Sequence, residues 1–327
     1  MRSPVLESQP ESSADGVSGG ERAVGGEGVV GKAGSGLGGR VGMGLVLVLA
    51  AAEGSAFARE KRAPESPSLE AGIDAFGVAM LHPTKAGGEV WTLAADPRTD
   101  ARFDPRTPLT RNRDGSWKVR DKQVRMHVYT STGYDTAAIA TYDREVLASS
   151  GFMQAPNDWR NVEMTGYVRV NSGGKRDENL SWQARGGEHS DGRPCEGSAY
   201  HGALHYDGQV RWQKESWHVS YASSPYVQAT SALRGRWVGF KAILRNAPTA
   251  EGTTAVHLEL WLDTRADGVS WVKVYDLVDD GRWGGAASYC GGAVDAMPIT
   301  WGGPIAVFRW DGANDVDFKW LSVREIE

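Results

Sequence analysis

From Ile73 to Glu327 the chain is a succession of short apolar–polar alternations, punctuated every few residues by Gly, Asn and Asp. Alternation of period two puts one set of side chains on each face of a strand, whereas a helix needs apolar residues three and four apart. The clearest runs are Val124–Thr130, Val162–Val170, Leu180–Arg185, Tyr200–Tyr206, Gln209–Glu215, Trp217–Tyr221, Trp237–Leu244, Val256–Leu262, Val272–Leu277, Ile305–Trp310 and Val316–Arg324. Only 141–150 (TYDREVLASS) has helical spacing. So many short strands with turn signals between them predict two antiparallel sheets packed face to face, an all-β sandwich. No composition break divides the region, so 73–327 reads as one domain.

What precedes it has a different character. Residues 1–40 are rich in Gly, Ser and Glu and poor in large apolar side chains, a composition that buries too little surface to offset chain entropy. Arg40 then precedes the apolar run VGMGLVLVLAAA, and Ala56-Phe57-Ala58 supplies an A-x-A site. This is the pattern of a secretory signal cleaved near Ala58. The run falls short of the roughly 20 residues that span a bilayer, although an uncleaved anchor is the alternative. The expectation is a secreted or cell-envelope protein with a leader over 1–58, a linker over 59–72 (REKRAPESPSLEAG) and no membrane span in the mature form. In that oxidising setting Cys195 and Cys290 are expected to pair; two free thiols are the other reading.

Lys and Arg number 36 against 41 Asp and Glu, a formal charge of −5, which argues against a nucleic-acid partner. The 13 tryptophans supply flat aromatic surface, either as a stacking platform for sugar rings or as filling between the sheets.

The segments WVGFKAIL, VHLELWLD, WVKVYDL and VDFKWLSVREI resemble the middle and last strands of concanavalin-A-like jelly rolls, over roughly residues 160–327. That superfamily includes laminin-G-like domains, lectins and polysaccharide lyases. The resemblance implies a sugar-binding sheet face, which in the lyases carries Arg, Gln or Asn, His and Tyr. The Glu-x-Asp-x-x-Glu strand of its retaining glucanases is absent. Glu259 and Asp263 stand four residues apart, about 13 Å along a strand, too far for the roughly 5–5.5 Å of a retaining pair.

A uronate lyase needs a group to neutralise the substrate carboxylate, and groups to take and return a proton. Gln183 with Arg185 suit the first task; His201 or His205 with Tyr200 suit the second. Arg169, Tyr206, Arg211, Gln213, Lys214, Glu215 and Trp261 are the candidate substrate contacts. Asp207-Gly208 reads as a two-residue type I′ hairpin turn, so Tyr200 opposes Glu215, and His201 opposes Lys214 on the other face. His201 and His205 are about 13 Å apart along a strand, too far to chelate one ion together. No cofactor is expected beyond a structural calcium at the Asp263 and Asp267 loop, where plain turns are the competing explanation. Three functions stay open: a secreted polysaccharide lyase acting on an anionic glycan, a non-catalytic carbohydrate-binding module, and a structural extracellular sandwich.

Overall fold

The computed structural model describes residues 71–138, 143–189, 196–218, 220–284, 287–289, 292–294 and 296–327. The leader, most of the linker, Cys195 and Cys290 lie outside these residues, so the expectations about cleavage and disulfide pairing do too.

In chain order the strands are β1 (Val90–Thr92), β2 (Phe103–Asp104), β3 (Thr110–Arg111), β4 (Trp117–Val119), β5 (Gln123–Tyr129) and β6 (Val162–Gly173). There follow β7 (Asn179–Gly186), β8 (Ala199–His205), β9 (Gln209–Ser216), β10 (Ser220–Ser223), β11 (Val227–Gln228) and β12 (Trp237–Pro248). The last are β13 (Thr254–Asp263), β14 (Val272–Asp279), β15 (Ala287–Tyr289), β16 (Gly292–Val294), β17 (Ile305–Asp311) and β18 (Ala313–Glu325). Among the described residues one α-helix, α1 (Arg144–Ser150), falls inside the predicted helical stretch. It starts where the Asp143 carboxylate accepts from the backbone N–H of Glu145 and Val146, and stops at left-handed Gly151.

Two antiparallel sheets make the jelly-roll sandwich. The first runs β14-β13-β12-β6-β18-β4-β3, with β1 also on β18; the second runs β10-β9-β8-β7-β17-β5-β2, with β11 on β9. Leu180, Trp182, Leu204, Trp212, Phe308 and Trp310 of the second sheet meet Met164, Val168, Phe240, Leu244, Leu258 and Leu260 of the first in one buried core. Trp182 ties the sheets together, because its indole N–H donates to the Phe240 carbonyl at 3.1 Å and its ring lies edge-on to Phe308. Gly166 and Gly202 make room for this packing. A Cβ on Gly166 would stand 2.9 Å from the Trp182 ring, and one on Gly202 2.7 Å from Leu260. Trp182, Trp212, Trp217 and Trp301 are therefore core filling rather than a stacking platform.

The two outer faces differ. Over the first sheet, Val78, Ala79 and Leu81 pack on Tyr167, Ile243, Trp261 and Trp271. Beneath them Glu163 is held by Lys241 at 2.6 Å and Arg324 at 2.5 Å, and accepts the backbone N–H of Leu81 at 3.0 Å. Residues 78–81 thus cover this part of the face. The outer face of the second sheet carries instead a row of polar side chains with a cavity over it.

The β8–β9 hairpin differs from expectation by one residue. Leu204 pairs with Val210, Gly202 with Trp212, His201 with Gln213, and Tyr200 with Lys214. Gly208 alone takes a left-handed φ of 90°, Asp207 does not, and the Gly208 N–H bonds to the His205 carbonyl. The loop is thus one residue longer than the type I′ form, which needs positive φ at both central residues. A one-residue slip exchanges the faces of the partner strand. Lys214 moves inside with Tyr200, while Arg211, Gln213 and Glu215 join His201 outside.

Candidate functional site

Ladder pairing sets the outer face of the second sheet in rows. One row crosses five strands: His127 on β5, Val307 on β17, Gln183 on β7, His201 on β8 and Gln213 on β9. The next row holds Arg125, Arg309, Ser181, Ala203 and Arg211. A cavity opens over them, lined by Gln183, His201, Arg211, Gln213, Arg309 and Asp311 among others. Asp311 accepts from Arg125 Nη2 at 2.8 Å and from Arg309 Nε at 2.8 Å. Among the described residues Arg211 has no carboxylate partner; it lies over the Tyr226 ring at 4.3 Å, and its buried Nε has no hydrogen-bond partner there.

Glu215 organises the end of the face nearest β10. Its Oε1 is met by His218 Nδ1 at 2.5 Å and accepts from the Tyr221 hydroxyl at 2.9 Å. Its Oε2 lies 3.1 Å from His189 Nδ1 and 3.0 Å from His201 Nε2. Burial pushes the Glu215 carboxyl up, but the imidazoles of His189, His201 and His218 outweigh it and hold it well below the usual range. Burial lowers His201 against the pull of Glu215, and burial with Arg106, His189 and Arg125 nearby lowers His127 to about 3. The His127 imidazole is neutral at pH 7.

His189, His218 and Tyr221 were not singled out from the sequence. A strand was expected over Trp217–Tyr221, but Trp217 and His218 both adopt positive φ, at 53° and 56°. This turn folds His218 back onto Glu215, three residues earlier. Tyr221 then pairs with Glu215 across β9 and β10 and is 51% exposed, open to a ligand.

Of the predicted site residues, Gln183, His201, Arg211, Gln213 and Glu215 come together here. His205 shares the face, but it is fully buried at the far end of β8 against Tyr226. The others are corrections. Tyr200 points into the sandwich, where its hydroxyl donates to Asp279 at 2.6 Å and accepts the Ile299 N–H at 2.9 Å. Lys214 bonds the same Asp279 at 2.6 Å. Arg185 has a φ of 81° at a bulge between β7 and β17, so its guanidinium turns inward to Asn246 and the Arg160 carbonyl. Tyr206 donates to the Asp311 carbonyl at 2.7 Å. Arg169 and Trp261 belong to the first sheet, paired with Asp317 and covered by residues 78–81 respectively. In the Asp263 loop, the Asp263 carboxylate accepts from Tyr167, Arg265, Ala266 and Gly268, while Asp267 accepts from Val269 and Ser270.

No family model and no curated protein matches the sequence. Among solved structures, the chain is similar to xylan β-1,4-xylosidase from Bacillus halodurans C-125, at 10% identity and TM-score 0.37, covering 75% of this chain and 40% of that one. It is similar to a variant of the GH43 protein BlXynB from Bacillus licheniformis, at 11% identity and TM-score 0.32, covering 69% and 40%. A variant of alginate lyase Aly36B with a bound alginate trisaccharide matches at 10% identity and TM-score 0.33, covering 74% of this chain and 100% of that one. The chain spans about 40% of the length of the first two. Likeness at this distance carries no argument about chemistry.

Proposed function

We propose that the protein is carbohydrate-active and that the outer face of its second sheet receives an anionic, uronate-containing polysaccharide, which it cleaves by β-elimination. The observation that carries this reading is the pair of adjacent rows. Gln183, His201 and Gln213 offer uncharged hydrogen-bonding groups, and Arg125, Arg309 and Arg211 run beside them as cations.

In this reading Arg211 and Gln213 hold the substrate carboxylate, which makes the neighbouring C–H more acidic. Tyr221 moves the proton. The residue is 51% exposed, and its hydroxyl bonds both Glu215 and His218, each at 2.9 Å, so it has a charged relay behind it. His201 is 3% exposed and serves as floor and positioning residue for Glu215 rather than as the base. The commitment of Arg125 and Arg309 to Asp311 favours a second reading, a binding module without turnover, because it leaves Arg211 as the one cation of the row with no carboxylate partner among the described residues.

Incubation of the protein with a panel of polyuronates and neutral glycans, followed by the ultraviolet absorbance of unsaturated uronate, tests both. A rise with a polyuronate is expected. Retention on a polyuronate in affinity electrophoresis with no rise moves the protein to the binding module; neither signal with any polymer sinks the carbohydrate reading.

A further inference from the structure

Glu215 is approached by three imidazoles. Its two oxygens divide them. Oε1 belongs to His218 and Tyr221, whereas Oε2 is left to His189 Nδ1 and His201 Nε2 at 3.1 and 3.0 Å. The His201 side chain is 4% exposed, and its Nε2 faces Oε2 without an aligned hydrogen bond and without another partner among the described residues. A buried ring nitrogen left in that state destabilises the fold. A ligand shared by the three atoms removes the cost.

Zinc holds nitrogen and oxygen donors at about 2.0–2.2 Å in a tetrahedron, which sets neighbouring donor atoms about 3.3 Å apart. The two spacings about Oε2 are close to this, and all three donor atoms lie within 4.8 Å of one another. Each donor comes from a different element: His201 from β8, Glu215 from β9, and His189 from the loop after β7. His218 and Tyr221 grip the other carboxylate oxygen, as outer partners orient a metal-ligating carboxylate.

We propose that His189, His201 and Glu215 form a zinc site with an open fourth position. Two imidazoles and one carboxylate form a known donor set of zinc sites that keep a place for water or substrate. Calcium does not fit, since it takes six to eight oxygens and the cluster offers one carboxylate. The site stands on ligand geometry alone and does not depend on the sugar reading.

The test uses untagged full-length protein dialysed against chelator and titrated with zinc chloride by calorimetry, with bound metal counted by atomic absorption. One zinc per chain is expected, together with a higher thermal midpoint, because a ligand of the folded state stabilises it. His189→Ala changes a loop residue outside the core, and should weaken zinc binding by tenfold or more while the circular dichroism spectrum stays unchanged. Cobalt(II) should give the visible absorption of a tetrahedral ion in the native protein and lose it in that variant. No saturable binding, zinc binding undiminished in His189→Ala, or preference for calcium chloride over zinc chloride overturns the site. Polyuronate binding without zinc binding removes this inference and leaves the sugar reading; zinc binding without polyuronate binding does the reverse.

Discussion

Tyr221 is the most exposed residue of the Glu215 cluster, and removing its hydroxyl isolates the chemistry from the fold. Tyr221→Phe keeps the ring on β10 and deletes one oxygen. Turnover of a polyuronate should fall by about 10²-fold or more, the scale of one general acid or base, with little change in KM; unchanged turnover would take Tyr221 out of the reaction. His127 gives a separate, pH-resolved expectation. Its folded pKa, lowered to about 3 chiefly by burial, lies below the ordinary 6.5. The neutral form therefore stabilises the fold fully above about pH 6.5, and this contribution is lost as pH falls towards 3. Asp158, raised by burial to about 6, acts the other way: its contribution is present below the ordinary 3.8 and is lost as pH rises through 6. Thermal melts from pH 7 to 4 should show a flatter decline for His127→Gln than for the native protein. Parallel curves would show that His127 charges as easily in the fold as outside it.

At the scale of elements, the strands were legible and the departures from them were not. Alternation placed β5, β6, β8, β9, β12, β13 and β17 within a few residues, because burial on one face enforces period two. It missed β1 to β4, which are two or three residues long and show no period. The site depended on what alternation cannot report. Asp-Gly suits both the two-residue hairpin and the longer loop found here, and the one-residue difference decides whether Lys214 or Gln213 stands beside His201. Positive φ at Arg185, Trp217 and His218, all non-glycine, redirects three side chains against the local pattern. The hairpin loop can be tested directly. Gly208 has a φ of 90°, and a Cβ there would run into the Thr230 carbonyl oxygen. Gly208→Ala should lower stability by about 1–3 kcal/mol in urea denaturation. A loss within about 0.5 kcal/mol, the size of an ordinary surface change, would mean that the loop rearranges freely.

Across the whole molecule, a formal charge of −5 predicts repulsion of a polyanion, so any attraction has to be local. In the proposed reading the second sheet supplies it, by collecting Arg125, Arg211 and Arg309 on its outer face. Charge contacts on such a partly open face weaken with salt, since screening lengths are about 10 Å at 0.1 M. If a polyuronate binds here, Asp311 opposes it by occupying Arg125 and Arg309 together. Two substitutions should therefore move affinity in opposite directions. Arg211→Ala removes the cation that has no carboxylate partner among the described residues, and should weaken polyuronate binding and flatten its salt dependence. Asp311→Asn releases two guanidinium groups and should tighten binding at low salt, with the gain lost as salt rises. Affinity electrophoresis of both variants over a salt series reads the two effects together. If Asp311→Asn binds no better than the native chain while Arg211→Ala binds as well, the arginine row is a structural ion network and the anionic ligand belongs to another surface.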